Sequence, residues 1–345
     1  MTPLASHITA FLRVRLPLER GASVHTCDTY AYGFKLLFEF TSSRLGIAPS
    51  QLMIEQLDAA LVLAFLEHIE VHRGNTPSTR NVRLATIRSF MKFIEHRVPS
   101  ALEQVRHVLA IPMKRTDTRL VCHLTRLEMQ AVLDAPDPRK REGTRDRAML
   151  HVACAAGLRV SELTGLRLDG LMFEPRLSVR VLGKGRRERV LPLWKETATA
   201  LRAWLTIRGP SPAPQVFLSA VGLPLTRSGF EYILERHVRC AAQRCPSLRG
   251  KRVSPHVLRH TCAMLALQAT GDLRKVALWL GHASIQTTEM YVRADPSTRL
   301  DVLNAITPPT LRKGRFTPPD ALIASLTPGK AARHYAEPAS SDPPP

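Results

Sequence analysis

Apolar residues recur at three- and four-residue intervals through most of this 345-residue chain, and one stretch alternates instead. That contrast predicts a mainly α protein carrying one small β-hairpin or sheet. Between Thr26 and Arg44, the side chains of Tyr30, Phe34, Leu37 and Phe38 fall on one helical face. Leu61 to Ile69 is a second apolar run. Thr76-Pro77 opens a third helix, with proline in the first turn where its missing N–H costs little. Val82, Leu84, Ile87, Phe90, Met91 and Ile94 continue it to Val98-Pro99. Ala101 to Ile111 is a fourth, halted by Pro112, so residues 1–111 read as an all-α domain. Residues 112–119 hold no apolar period and read as a linker. A second domain, 120–305, opens with Thr125 as N-cap of a helix over Arg126 to Leu133. Another helix runs from about Thr144 to Leu158. Leu177 to Val181 alternates like a strand, Gly183-Lys184-Gly185 turns, and Arg189 to Leu193 returns. Helices follow at 195–207, 226–243, 256–270, 272–280 and 284–293. Residues 306–345 carry 9 of the chain's 26 prolines and read as a disordered tail.

Charge narrows the partner. Lys plus Arg number 49 against 29 Asp plus Glu, a formal net charge of +20, of which +13 lies in residues 117–305. An excess of this size favours a polyanion, either nucleic acid or an acidic membrane surface. No segment approaches the roughly 18 uninterrupted apolar residues of a membrane span. Arg13, Arg15, Glu19 and Arg20 interrupt any secretory signal early, so a cytoplasmic protein with no membrane role is expected. The six cysteines (Cys27, Cys122, Cys154, Cys240, Cys245, Cys262) are sparse and read as free thiols. Arg80, Arg83, Arg88 and Lys92 along the third helix are candidate DNA contacts, although a charge run is more often a solvated face.

Five short signatures in the second domain carry the chemistry. Arg159 follows Gly157-Leu158, and Glu162 three residues on can share its helical face and hold it. The hairpin tip presents Lys184, Arg186 and Arg187 without the glycine spacing of a Walker loop. A basic surface turn and a phosphate-seeking loop both fit it. His256 and Arg259 share a face near a helix start, where free N–H groups and the dipole favour an anion. His260, one turn beyond His256, reads as an internal packing or hydrogen-bonding residue. Zinc on His256, His260, Cys240 and Cys245 fits no standard finger spacing, so no metal is expected. His282 after Leu280-Gly281 reads alone as a cap, and Tyr291 alone as a half-buried core residue.

In this order the five resemble the tyrosine recombinase family, also called phage integrases. Arg159, Lys184, His256, Arg259, His282 and Tyr291 each have their match, with flanking words GLRVSEL, GKGRRERV, PHVLRHT and LGHASIQTT. The resemblance is strong over residues 120–300. Over residues 5–110 it is looser, to the family's helical, SAM-like core-binding domain. It implies a site-specific DNA recombinase or integrase in which Tyr291 attacks a phosphodiester and forms a 3′-phosphotyrosine. Two planar guanidinium forks, Arg159 and Arg259, suit the non-bridging oxygens. Lys184 protonates the leaving 5′-oxygen, His256 accepts or relays the phenol proton, and His282 donates to a non-bridging oxygen. Glu162 supports these side chains, and Arg186 and Arg187 add DNA contacts. Neither cofactor nor metal is called for.

The partners implied are double-stranded DNA and further protomers, as a homo-tetramer or a hetero-assembly with related recombinases. The helical stretch Ser297 to Ile306 is expected to pack on a neighbouring protomer. Transposition or integration of a mobile element is the first expectation. A type IB topoisomerase relaxing supercoils shares the chemistry, and a non-catalytic DNA-binding accessory protein shares the fold.

Overall fold

The computed structural model describes residues 2–117, 120–183, 188–282 and 284–294. Lys184, Arg186, Arg187, the stretch Ser297 to Ile306 and the tail from 306 lie outside the described residues. Chain contacts form two compact units that divide between Arg119 and Leu120. Among the described residues the architecture is mostly helical, with one small sheet in the second unit. Among the described residues no helix is long and apolar enough to cross a membrane.

In the first unit, α1 (Leu4–Ala10) continues with π-type winding over Phe11–Glu19 and is followed by α2 (Val24–Leu45), α3 (Ala59–Val71), α4 (Pro77–Ile94) and α5 (Leu102–Ala110). Side chains fix three of the starts. Ser23 accepts from the Thr26 amide at 3.2 Å, Asp58 from Leu61 at 2.7 Å, and Thr76 from Thr79 at 3.3 Å. Each such cap is worth about 1 kcal/mol. The apolar faces meet in an aromatic centre where Phe11, Phe34, Phe90 and Phe93 pack at 5.4–6.0 Å between ring centroids.

Arg80 departs from the DNA-facing set expected of α4. It is 5% exposed, donates to the Pro112 carbonyl at 3.3 Å and lies 3.7 Å from Glu70. Its position one turn before Leu84, Ile87 and Met91 puts it on the buried stripe, so its charge is used inside the unit. Arg83 is half-buried, with its guanidinium 4.9 Å over the Tyr32 ring, whereas Lys92 is exposed. Of the expected linker, Pro112 and Lys114 are held against α3 and α4. Asn81 exchanges two hydrogen bonds with the Lys114 backbone, and Lys114 Nζ meets Glu70 at 2.7 Å.

The second unit begins with α6 (Arg126–Leu133), N-capped by Thr125 as the sequence predicts, with Glu128 returning a bond to the Thr125 amide. Then come α7 (Arg141–Ala156), the short α8 (Val160–Thr164), β1 (Leu171–Met172), β2 (Ser178–Leu182), β3 (Glu188–Pro192), α9 (Lys195–Arg208), α10 (Arg227–Arg244), α11 (Pro255–Thr270), α12 (Leu273–Leu280) and α13 (Gln286–Ala294). The hairpin is widened by β1 into an antiparallel sheet of order β1-β2-β3. Val179 faces Leu191 and Val181 faces Arg189 across β2 and β3. Period-two alternation therefore sets Arg189 on the same inward side as Leu191. Helix α7 is buried along its last nine residues and forms the unit's axis. Asp146 in α7, fully buried, meets Arg145, Arg236 and His237 at 2.6–2.9 Å, which ties α7 to α10.

Candidate active site

The pocket is organised by one buried guanidinium. Arg259, in the second turn of α11 and 4% exposed, donates through both terminal nitrogens to the carbonyls of Gly157 and Leu280, each at 2.6 Å. Gly157 ends α7 and leads into Arg159, while Leu280 ends α12 and leads into His282. One side chain thus registers two chain reversals that carry the other candidates. Both reversals need glycine: Gly157 has φ +57° and Gly281 φ +64°, a region that side chains rarely adopt. A Cβ on Gly157 would also lie 2.8 Å from the Leu280 side chain. Burial, with Arg159 nearby, lowers the Arg259 pKa to about 10, so it stays charged near neutral pH.

Arg159 takes an extended N-cap conformation before α8, and Glu162 grips it twice. The carboxylate accepts the Arg159 amide at 2.8 Å and its guanidinium at 2.9 Å. Arg189 of β3 approaches the same carboxylate at 2.8 Å. Burial alone would raise the Glu162 pKa; the Arg189 and Arg159 bonds outweigh it and hold the acid below its usual range. It is therefore ionised, and the half-buried Arg159 keeps part of its fork open to an anion.

Tyr291 of α13 is 1% exposed, and its hydroxyl meets His260 Nδ1 at 3.0 Å. The ring stacks on His282 at 6.4 Å and meets His260 edge-on at 5.6 Å. Burial pushes the phenol up to about 12, against the pull of Arg259. Burial also lowers the His260 and His282 pKa values to about 4, helped by His256 beside the first and by Arg259 beside both. Both imidazoles are therefore neutral at pH 7. His282 Nδ1 shares a hydrogen bond with Thr288 Oγ1 at 2.8 Å, fixing its ring against α13.

Arg159, Glu162, Arg259, His282 and Tyr291 thus converge. His256 is exposed at the pocket's edge, with its ring centroid 6.3 Å from that of His260. The imidazole on the phenol oxygen is His260, the residue whose i+4 spacing from His256 places it on the inner side of the same helix. Arg189 escaped notice because nothing in a strand's sequence says which polar residue turns inward. His256 also lines a cleft of about 990 Å³ together with the exposed cations Arg227, Arg239, Arg249 and Arg252. Glu231 and Glu235 line the same cleft and pair with Arg227 and Arg239, which leaves Arg249 and Arg252 as its cations outside those pairs.

A helical unit with a small antiparallel sheet thus gathers two arginines, imidazoles and a tyrosine into one pocket, a set suited to an anionic group such as a phosphate. Family comparison makes this specific: residues 123–298 match the phage integrase family, and residues 8–97 match the phage integrase N-terminal SAM-like domain. The chain is 42% identical over 325 residues to y4rC of Sinorhizobium fredii, named as an integrase/recombinase, covering 94% of this chain and 97% of that one. It is 32% identical over 309 residues to the tyrosine recombinase XerC of Pelobacter propionicus, covering 89% and 97%. The fold is similar to that of the XerH site-specific recombinase bound to a palindromic difH substrate, with TM-score 0.64, 23% identity and coverage of 83% and 81%. It is also similar to the Tn1549 transposon integrase bound to transposon right-end DNA, with TM-score 0.64, 18% identity and coverage of 86% and 99%. The chain belongs to the phage integrase family of tyrosine recombinases, enzymes that break and rejoin DNA strands.

Proposed function

We propose that the chain is a site-specific recombinase of a mobile element that works through a covalent 3′-phosphotyrosine on Tyr291. The observation that carries this reading is the Tyr291 phenol held in one pocket with Arg259 and Arg159. The phenol oxygen forms a bond to phosphorus as the bond to the 5′-oxygen breaks. The tyrosine proton leaves through a neighbouring imidazole, and the 5′-oxygen departs as a hydroxyl with a proton from Lys184. The reverse attack by another 5′-hydroxyl releases Tyr291, so bond energy is conserved in the linkage. The two guanidinium groups stabilise the charge that builds on the non-bridging oxygens, a term worth about 2.7–4 kcal/mol per donor. In this reading His260, which meets the phenol oxygen, takes the tyrosine proton and the exposed His256 relays it outward, while His282 donates to a non-bridging oxygen of the phosphate.

With the phenol covered and its pKa near 12, the arrangement is a resting one, and DNA binding must expose Tyr291 before it attacks. The partner is double-stranded DNA, gripped by Arg83, Arg88, Lys92, Arg186 and Arg187 and by the cleft cations. Assembly into four protomers on two duplexes is in keeping with lambda integrase, whose structures include a tetramer bound to a Holliday junction. A nicked suicide duplex, recovered by covalent capture from a randomised library and from the DNA flanking the gene, tests this reading. Wild type should become linked to DNA through Tyr291, and Tyr291→Phe should not. Terminal repeats in the flanking DNA are the expected signature of the mobile element.

A further inference from the structure

We propose that Arg189 is a positioning residue for strand breakage: it fixes the Glu162 carboxylate that orients Arg159 and offsets its negative charge beside the phosphate site. This rests on the strand-breaking reading above. The Arg189 side chain is 10% exposed, and its two terminal nitrogens meet the two oxygens of Glu162 at 3.2 and 2.8 Å. Each of those oxygens also receives one bond from Arg159, the guanidinium on Oε1 and the amide on Oε2. Three of the four bonds are 2.8–2.9 Å and the fourth 3.2 Å, so both carboxylate oxygens are held and Arg159 inherits their orientation. Arg189 also packs against the second reversal: a Cβ built on Gly281 would lie 3.0 Å from its Nη1 and 3.3 Å from its Cζ. Arg189 therefore abuts the turn that delivers His282 as well as the acid that holds Arg159.

Charge adds a second consequence. An ionised carboxylate bonded to Arg159 draws that cation's field away from a bound phosphate. With Arg189 present, Glu162 is shared between two guanidinium groups, and the Arg159–Glu162–Arg189 cluster keeps one net positive charge. Without Arg189 the cluster is neutral, and of the two guanidinium groups at the phosphate Arg259 alone carries an uncompensated charge. The loss falls on the transition state, where charge on the phosphate is greatest, more than on ground-state binding.

The test uses the full chain on the suicide duplex captured by wild type, with single-turnover adduct formation measured against DNA concentration. Arg189→Met should lower the plateau rate about 100-fold, the size seen when one preorganised donor is removed, with half-saturating DNA unchanged. Arg189→Lys restores the charge but not the fork and should fall about 10-fold. Pairing Arg189→Met with Glu162→Gln removes the uncompensated carboxylate and should recover about 10-fold of the loss, because the two residues are coupled. A residue that only supported the fold would lower the melting temperature in Arg189→Met and gain nothing from Glu162→Gln. The proposal is overturned if Arg189→Lys, which keeps the cation, and Arg189→Met both cleave within about twofold of wild type. It is equally overturned if the double variant is no faster than Arg189→Met. Failure of wild type to form any adduct would instead sink the strand-breaking reading and leave the packing of Arg189 untouched.

Discussion

The two units solve burial in opposite ways. The first buries aromatic and aliphatic side chains almost throughout and ends its helices with ordinary caps; the aromatic centre on Phe11, Phe34 and Phe90 is its anchor. The second buries charge. Arg259, Arg145, Asp146, Glu128 and Arg208 lie inside it, each answered by a carbonyl or an opposite charge. A buried charge is a poor device for stability, since desolvation consumes most of what pairing returns. It is an effective device for aim. The first unit is built to stay folded; the pocket of the second is built to hold charges in fixed places.

Substitutions should separate the two designs. Phe90→Ala should cost about 3–5 kcal/mol and lower the unfolding transition of the first unit, with that of the second unit unmoved in a denaturant titration. A shared transition would erase the distinction. Arg259→Ala should cost about 2.7–4 kcal/mol in single-turnover adduct formation, and Arg259→Lys should recover little, because a point charge cannot reach both carbonyls and a phosphate. Arg80→Met, which removes the donor to the Pro112 carbonyl and leaves Glu70 with Lys114 as its partner, should cost about 1–3 kcal/mol of stability and leave the salt dependence of DNA binding as it was. Lys92→Met should do the reverse, reducing the salt slope by about 1 with stability intact. The last effect is one of pH. His260 and His282 sit at about 4 in the fold against an ordinary 6.5, so between those values the unfolded chain binds more protons. Their contribution is whole above pH 6.5 and is lost as pH falls toward 4. The melting temperature of the second unit should fall across that window, and His260→Asn should flatten the fall.

How far the sequence could be read follows from the same contrast. Periodicity gave α2 to α5 because apolar burial repeats along a helix, and Thr125 and Pro77 marked starts through local chemistry. It passed over α1, whose buried Leu4, Ile8, Phe11 and Leu16 are interspersed with arginines, and the two-residue β1, which exists only by pairing with β2. Arg80 was legible: it shares the stripe of Leu84, Ile87 and Met91, but its charge outweighed its position. In the pocket, the motif order located Arg159, Arg259, His282 and Tyr291. The His260–Tyr291 and Arg189–Glu162 pairs are tertiary contacts across 31 and 27 residues, and no local pattern encodes them.

The central claim is that Tyr291 becomes the covalent link to DNA. Mass spectrometry of the peptide released by digesting wild-type chain trapped on a suicide duplex tests it most directly. The account predicts a nucleotide 3′-phosphate on the Tyr291 phenol. A DNA adduct on any other side chain, or an adduct formed equally by Tyr291→Phe, would contradict it.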